Sequence, residues 1–82
     1  MKTVSVLFFA TLRDHMGGKQ VTLRLPDEAG VARLKAELKA LKPTAAAAID
    51  NALVSINRDY AFDDDFIPDG AEVALFPHVS GG

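Results

Sequence analysis

Apolar and polar residues alternate over residues 3–10, with Val4, Val6 and Phe8 on one side and Ser5, Leu7 and Phe9 on the other. This run is rich in β-branched and aromatic residues and predicts a strand. Large apolar groups on both sides toward its end suit a central strand, or an edge with something docked on its second face. Residues 11–19 contain Gly17-Gly18 among polar neighbours and read as a loop. Val21, Leu23 and Leu25 then alternate with Thr22 and Arg24, a second strand that Pro26 ends. The two strands lie close in sequence and predict an antiparallel hairpin with a long turn.

From Gly30 the period changes. Val31, Leu34, Leu38 and Leu41 recur at helical spacing, with Lys35, Glu37 and Lys39 off the stripe and facing water. Asp27, Glu28 and Gly30 are each candidates to cap the start, where acidic residues suit the helix dipole. Pro43 ends or kinks this helix. A short helical segment from Ala45 to Ile49 follows, and Asp50-Asn51 reads as a turn. Leu53 to Ile56 is a short strand. Residues 59–68 are irregular and acidic, with a brief strand near Tyr60 to Phe62. Pro68-Asp69-Gly70 is a turn signal, because proline presets φ and glycine accepts positive φ. Glu72 to Phe76 alternates again, and Pro77 stops the ladder.

The order is strand, strand, helix, then two or three strands. It predicts an α+β roll, a mixed four- or five-stranded sheet with one main helix on one face. The inward set is Val4, Val6, Phe8, Val21, Leu23, Leu25, the helix stripe, Ile56, Val73 and Leu75.

Composition narrows the chemistry. The chain of 82 residues is long enough for one domain, and its net charge of −2 argues against nucleic acid as the main partner. It has no cysteine, which excludes disulfides, thiolate zinc sites and thiol catalysis. Ser5 and Thr11 interrupt the apolar start, and no small-x-small site precedes Arg13-Asp14-His15, so the start reads as a strand and not as a signal peptide. The apolar run is too short to span a membrane. These features fit a cytoplasmic protein. His15 and His78 are far apart with no ligand set around them, and Asp63-Asp64-Asp65 lacks calcium-loop spacing, so no metal site is expected.

The sequence closes on Gly81-Gly82. Two glycines make a thin, permissive strand that can enter a narrow channel in another protein. The expected reactive group is therefore the Gly82 α-carboxylate and not a side chain.

Three stretches resemble the family of molybdopterin synthase small subunits. They are Val6-Leu7-Phe8-Phe9-Ala10 with Leu12-Arg13, the segment Ser55-Ile56-Asn57, and Asp69-Gly70-Ala71-Glu72-Val73-Ala74-Leu75-Phe76-Pro77-His78-Val79-Ser80-Gly81-Gly82. The resemblance covers essentially the whole chain, and its C-terminal motif is the specific part. His78 stands where the family has a second proline, and Ala71 where it has an acidic residue. The resemblance implies a ubiquitin-like β-grasp domain over residues 1–76 and a flexible tail over 77–82.

It also implies a function. The chain would be a sulfur carrier in molybdopterin biosynthesis, not an enzyme by itself. An E1-like adenylating enzyme would use ATP and Mg to activate Gly82, and a sulfur donor protein would supply the thiocarboxylate. The tail would then deliver sulfur to cyclic pyranopterin monophosphate in the large, catalytic subunit. No cofactor would be bound permanently, and no nucleic acid or membrane would be involved. Gly81 would share the carrier role. Pro77, Val79 and Ser80 would shape the tail. Phe9, Tyr60 and Phe76 would share the sheet face away from the helix as partner anchors, and Arg13 would pair with an acidic partner surface. Rival readings are a carrier for another pathway such as thiamine thiazole, a ubiquitin-like modifier joined to lysines, and a binding module with an inert tail.

Overall fold

The computed structural model describes residues 1–78. Five strands form one sheet: β1 (Lys2–Phe8), β2 (Gln20–Leu25), β3 (Leu53–Ile56), β4 (Asp59–Ala61) and β5 (Glu72–Phe76). Their spatial order is β2-β1-β5-β3-β4. β1 runs antiparallel to β2, with Val4 opposite Leu23 and Val6 opposite Val21. It runs parallel to β5, with Val6 opposite Val73 and Phe8 opposite Leu75. β3 runs antiparallel to both β5 and β4. This is the mixed α+β roll that the order of elements predicts, and the first and last strands are neighbours.

The main helix is α2 (Val31–Leu41). Its Val31, Leu34 and Leu38 are fully buried with Val4, Val6, Phe8, Leu25, Val54, Val73 and Leu75 in one core. Truncating such a leucine to alanine typically costs about 2–5 kcal/mol. After Leu41 the chain makes a 3₁₀ turn at Pro43–Ala45 and a short helix, α3 (Ala46–Asp50), which buries Ile49.

Several details depart from the sequence reading. Residues 11–19 are not wholly loop, because Thr11–Met16 form a helical turn, α1. Leu12 and Met16 lie four residues apart on its face and enter the core. Gly17 closes it at φ 74°, the left-handed conformation that suits glycine. β1 begins at Lys2 and ends at Phe8, and β4 covers Asp59–Ala61 rather than Tyr60 to Phe62. Leu41 closes the helix stripe but is 56% exposed, since it is the last residue of α2. Val21 and Ile56 are only half-buried, packed at the margin of the core.

Lys35 is buried instead of facing water. Its alkyl stem lies along the core, and its amine emerges 3.0 Å from Asp63 Oδ1. The start of α2 carries no acidic residue in its first turn. Gly30 is the N-cap, and backbone carbonyls accept the free helix N–H groups: Val31 N donates to Asp65 O and Ala32 N to Asp63 O, both at 3.0 Å. A Cβ at residue 30 would collide with the Asp65 carbonyl, so this docking requires glycine.

Lys2 closes the opposite end of the core. Its buried ammonium donates to the backbone carbonyls of Asp27 (2.9 Å), Ala29 (2.7 Å) and Ile67, and lies 4.0 Å from the centre of the Phe66 ring. It ties the β2–α2 connection to the segment before β5. Among the described residues no helix is long and apolar enough to cross a membrane.

Candidate functional site

The sheet face away from α2 carries three aromatics, Tyr60 exposed and Phe9 and Phe76 half-buried. Alternation places Leu7 of β1, Ser55 of β3, Tyr60 of β4, and Ala74 and Phe76 of β5 on this face. Register sets Leu7 beside Ala74, and Ser55 beside both Ala74 and Tyr60. Phe9 follows β1 and stays on the ladder, its N–H donating to Leu75 O at 3.1 Å. Its ring stacks on Phe76, with centroids 4.8 Å apart and planes 10° from parallel. Tyr60 is 76% exposed. Phe9, Tyr60 and Phe76 border one groove of about 400 Å³. The structure thus brings together the three aromatics that the sequence reading grouped, on the face it assigned.

Arg13 sits beside this face on α1. Its Nε donates to Phe8 O at 3.2 Å, and its guanidinium carbon is 6.0 Å from the centre of the Phe9 ring. That separation is at the outer limit of a cation–π contact. No carboxylate within the described residues pairs with it.

Two residues absent from the sequence reading of the site complete the frame. Asn57 and Arg58 join β3 to β4 at φ 49° and 76°. Two successive positive φ values mark a type I′ turn, whose twist matches a hairpin. Asn57 locks this turn onto β5 from both sides: its N–H donates to Glu72 O at 2.8 Å, and its Oδ1 accepts from Glu72 N at 3.0 Å. Arg58 lines the aromatic groove. An asparagine between two strands was the available signal, since asparagine tolerates the left-handed region.

Pro77 is half-buried and follows the last ladder pair, Phe76 with Leu53. It has no N–H to extend the ladder. His78 is exposed. Val79, Ser80, Gly81 and Gly82, to which the resemblance assigns the tail and carrier roles, lie outside the described residues.

The acidic run has a structural use. The carbonyls of Asp63 and Asp65 cap α2, and Asp65 Oδ2 accepts from Phe62 N at 2.6 Å. Among the described residues no group of three His, Cys, Asp or Glu side chains is placed to hold a metal ion. A larger hollow of about 770 Å³ runs under β4 between Leu53 and Phe62, and the cation lining it, Lys35, is already paired with Asp63. The described surface also offers the groove bordered by Tyr60 and the stacked rings of Phe9 and Phe76.

A family model described as the ThiS family matches residues 6–82. The molybdopterin synthase sulfur carrier subunit of Chlamydomonas reinhardtii is 32% identical over 81 residues, covering 96% of this chain and 98% of that protein. A putative molybdopterin converting factor, subunit 1, from Pyrococcus furiosus superposes with a TM-score of 0.87 at 26% identity, covering 96% of this chain and 100% of the other. The protein SAMP1 from Haloferax volcanii superposes with a TM-score of 0.84 at 26% identity, covering 98% and 99% of the two chains.

Proposed function

The chain belongs to the ThiS family, and from that membership we propose that it is the sulfur-carrying small subunit of a molybdopterin synthase. The observation that carries this reading is the end-to-end likeness to the C. reinhardtii carrier subunit, with nearly the full length of both chains aligned. The aromatic face supports it, since a carrier must dock before its tail can be used. Half-buried stacked rings beside an exposed tyrosine are suited to anchor a partner.

The chemistry falls on Gly82. A carboxylate is a poor electrophile at neutral pH. The activating enzyme would join the Gly82 carboxylate to the α-phosphate of magnesium-bound ATP, releasing pyrophosphate. The acyl-adenylate then has a good leaving group. Sulfide-level sulfur delivered by a donor protein would attack the acyl carbon, forming a C–S bond as the C–O bond to AMP breaks, and leave a Gly82 thiocarboxylate, a soft nucleophile. The tail, thin at Gly81-Gly82, would enter the large subunit and transfer sulfur to cyclic pyranopterin monophosphate. Phe9, Tyr60 and Phe76 would seat the domain on its partner, with Arg13 contributing charge at the margin. Pro77, Val79 and Ser80 would guide the tail. The partner enzymes would supply the catalytic groups, so the chain is not an enzyme by itself.

Intact mass tests this reading. The chain is incubated with its activating enzyme, Mg-ATP and a sulfur donor, beside a chain lacking Gly82. Replacement of one oxygen by sulfur, mapped to Gly82 and absent from the control, is the expected result. Absence of both the thiocarboxylate and the acyl-adenylate overturns it.

A second reading has its own support. SAMP1 of H. volcanii, a small archaeal modifier protein, shares the fold. Conjugation of Gly82 to lysines through an isopeptide bond would follow from that reading. Lysine-linked conjugates in cells would favour it, and a thiocarboxylate without conjugates counts against it.

A further inference from the structure

We infer that Arg58 is a binding residue of the aromatic face, placed to pair with a carboxylate on the large subunit that covers Phe9, Tyr60 and Phe76. The inference rests on the proposed carrier reading for the existence of that partner. It adds the charge that the partner must present.

The first observation is in the backbone. Asn57 and Arg58 are the two residues of the β3–β4 turn, and both have positive φ. The second position of a type I′ turn favours glycine, and a side chain there lowers stability. Asn57 is compensated by its hydrogen bonds with Glu72. Arg58 is not: its exposed side chain makes no hydrogen bond or ion pair with any described residue. Turn stability alone would select glycine at residue 58. The gain from arginine therefore lies outside the fold.

The second observation is position. Arg58 lines the same groove as Phe9, Tyr60 and Phe76. Arg13 lies against Phe9 on another side of that surface. Two arginines thus border an apolar patch on a chain whose net charge is −2. Glu72 shares the groove but forms no ion pair with Arg58. A guanidinium beside an apolar surface is suited to paired hydrogen bonds with a carboxylate, and its pairing strengthens as docking removes water. The matching surface is an apolar patch flanked by Asp or Glu.

Calorimetric titration of the full chain with its cognate large subunit, at about 0.05 M and about 0.5 M salt, tests this. R58G is expected to melt at or above the wild-type temperature, by up to about 4 °C. Its affinity is expected to fall about fivefold at low salt, with the gap closing at high salt. R58K should recover part of the loss, and R58E should bind more weakly than R58G. Wild-type affinity of R58G at low salt overturns the inference. So does a loss that is the same at both salts, or a loss that follows a lower melting temperature. F76A separates the two levels of the argument. If F76A loses binding and R58G does not, only the role of Arg58 fails. If the wild-type chain does not bind, the carrier reading and the inference fall together.

Discussion

Phe9 and Phe76 stack with ring centroids 4.8 Å apart, although one follows the first strand of the chain and the other ends the last. The parallel pairing of β1 with β5 brings them together. Because Pro77 follows Phe76 directly, the stack stands where the chain leaves the sheet for its tail. A partner that grips the stack is thereby close to the start of the segment that the proposed chemistry needs.

Replacing Phe76 with alanine is expected to leave the fold intact and to weaken binding to the large subunit by at least about tenfold, because a buried aromatic anchor commonly contributes about 2 kcal/mol or more. Calorimetry with the large subunit, beside a thermal melt of the variant alone, checks this. Phe9→Ala should behave alike, and the double variant should lose less than the sum, since the two rings share one contact.

Gly30→Ala is expected to destabilise the chain by about 1–3 kcal/mol. The added Cβ meets the Asp65 carbonyl that caps α2. Moving that carbonyl also removes the helix's N-terminal partners. Urea unfolding followed by circular dichroism gives the value, and an unchanged midpoint would show that the loop yields without loss.

Lys2→Met should cost about 2–4 kcal/mol. It keeps the alkyl stem but leaves the carbonyls of Asp27, Ala29 and Ile67 without their donor. Hydrogen exchange should show the loss at both segments tied by the ammonium, the β2–α2 connection and the run before β5. A loss confined to β1 would contradict that role.

Ala10→Gly acts in the opposite direction. Ala10 has φ 52° and ψ −130°, a conformation open mainly to glycine, and its side chain is exposed. Relief of that strain should exceed the entropy lost by glycine and stabilise the chain by about 1 kcal/mol. A melting temperature higher by about 4–8 °C is the readout for a domain of this size.

The sheet and the main helix were legible because their periods are clean and long. Val4-Val6-Phe8 repeats every second residue, and Val31-Leu34-Leu38 follows the helical spacing. Alternation put Phe9 and Phe76 each on the second face of its strand, but only the family resemblance made β1 and β5 neighbours and added Tyr60 to the group. α1 was not legible, because six residues with only Leu12 and Met16 buried show a single repeat, and the glycines after it signal a loop. Lys2 and Lys35 were misjudged or passed over because patterning treats lysine as solvated. Both bury their stems and find oxygen partners only through tertiary packing. The Asn57-Arg58 turn escaped notice because it lacks the glycine that announces most type I′ hairpins. Its role depends on β5 lying beside β3, which no local window reveals.

The central claim is tested most directly by a single-turnover sulfur transfer. The chain carrying a Gly82 thiocarboxylate is mixed with the large subunit and cyclic pyranopterin monophosphate, and protein and pterin masses are followed together. The expected result is loss of the protein's sulfur, return of its carboxylate mass and appearance of that sulfur in the pterin. Each dithiolene should consume a pair of chains. A thiocarboxylate that persists beside an unchanged pterin, with the two proteins bound to each other, would contradict the account.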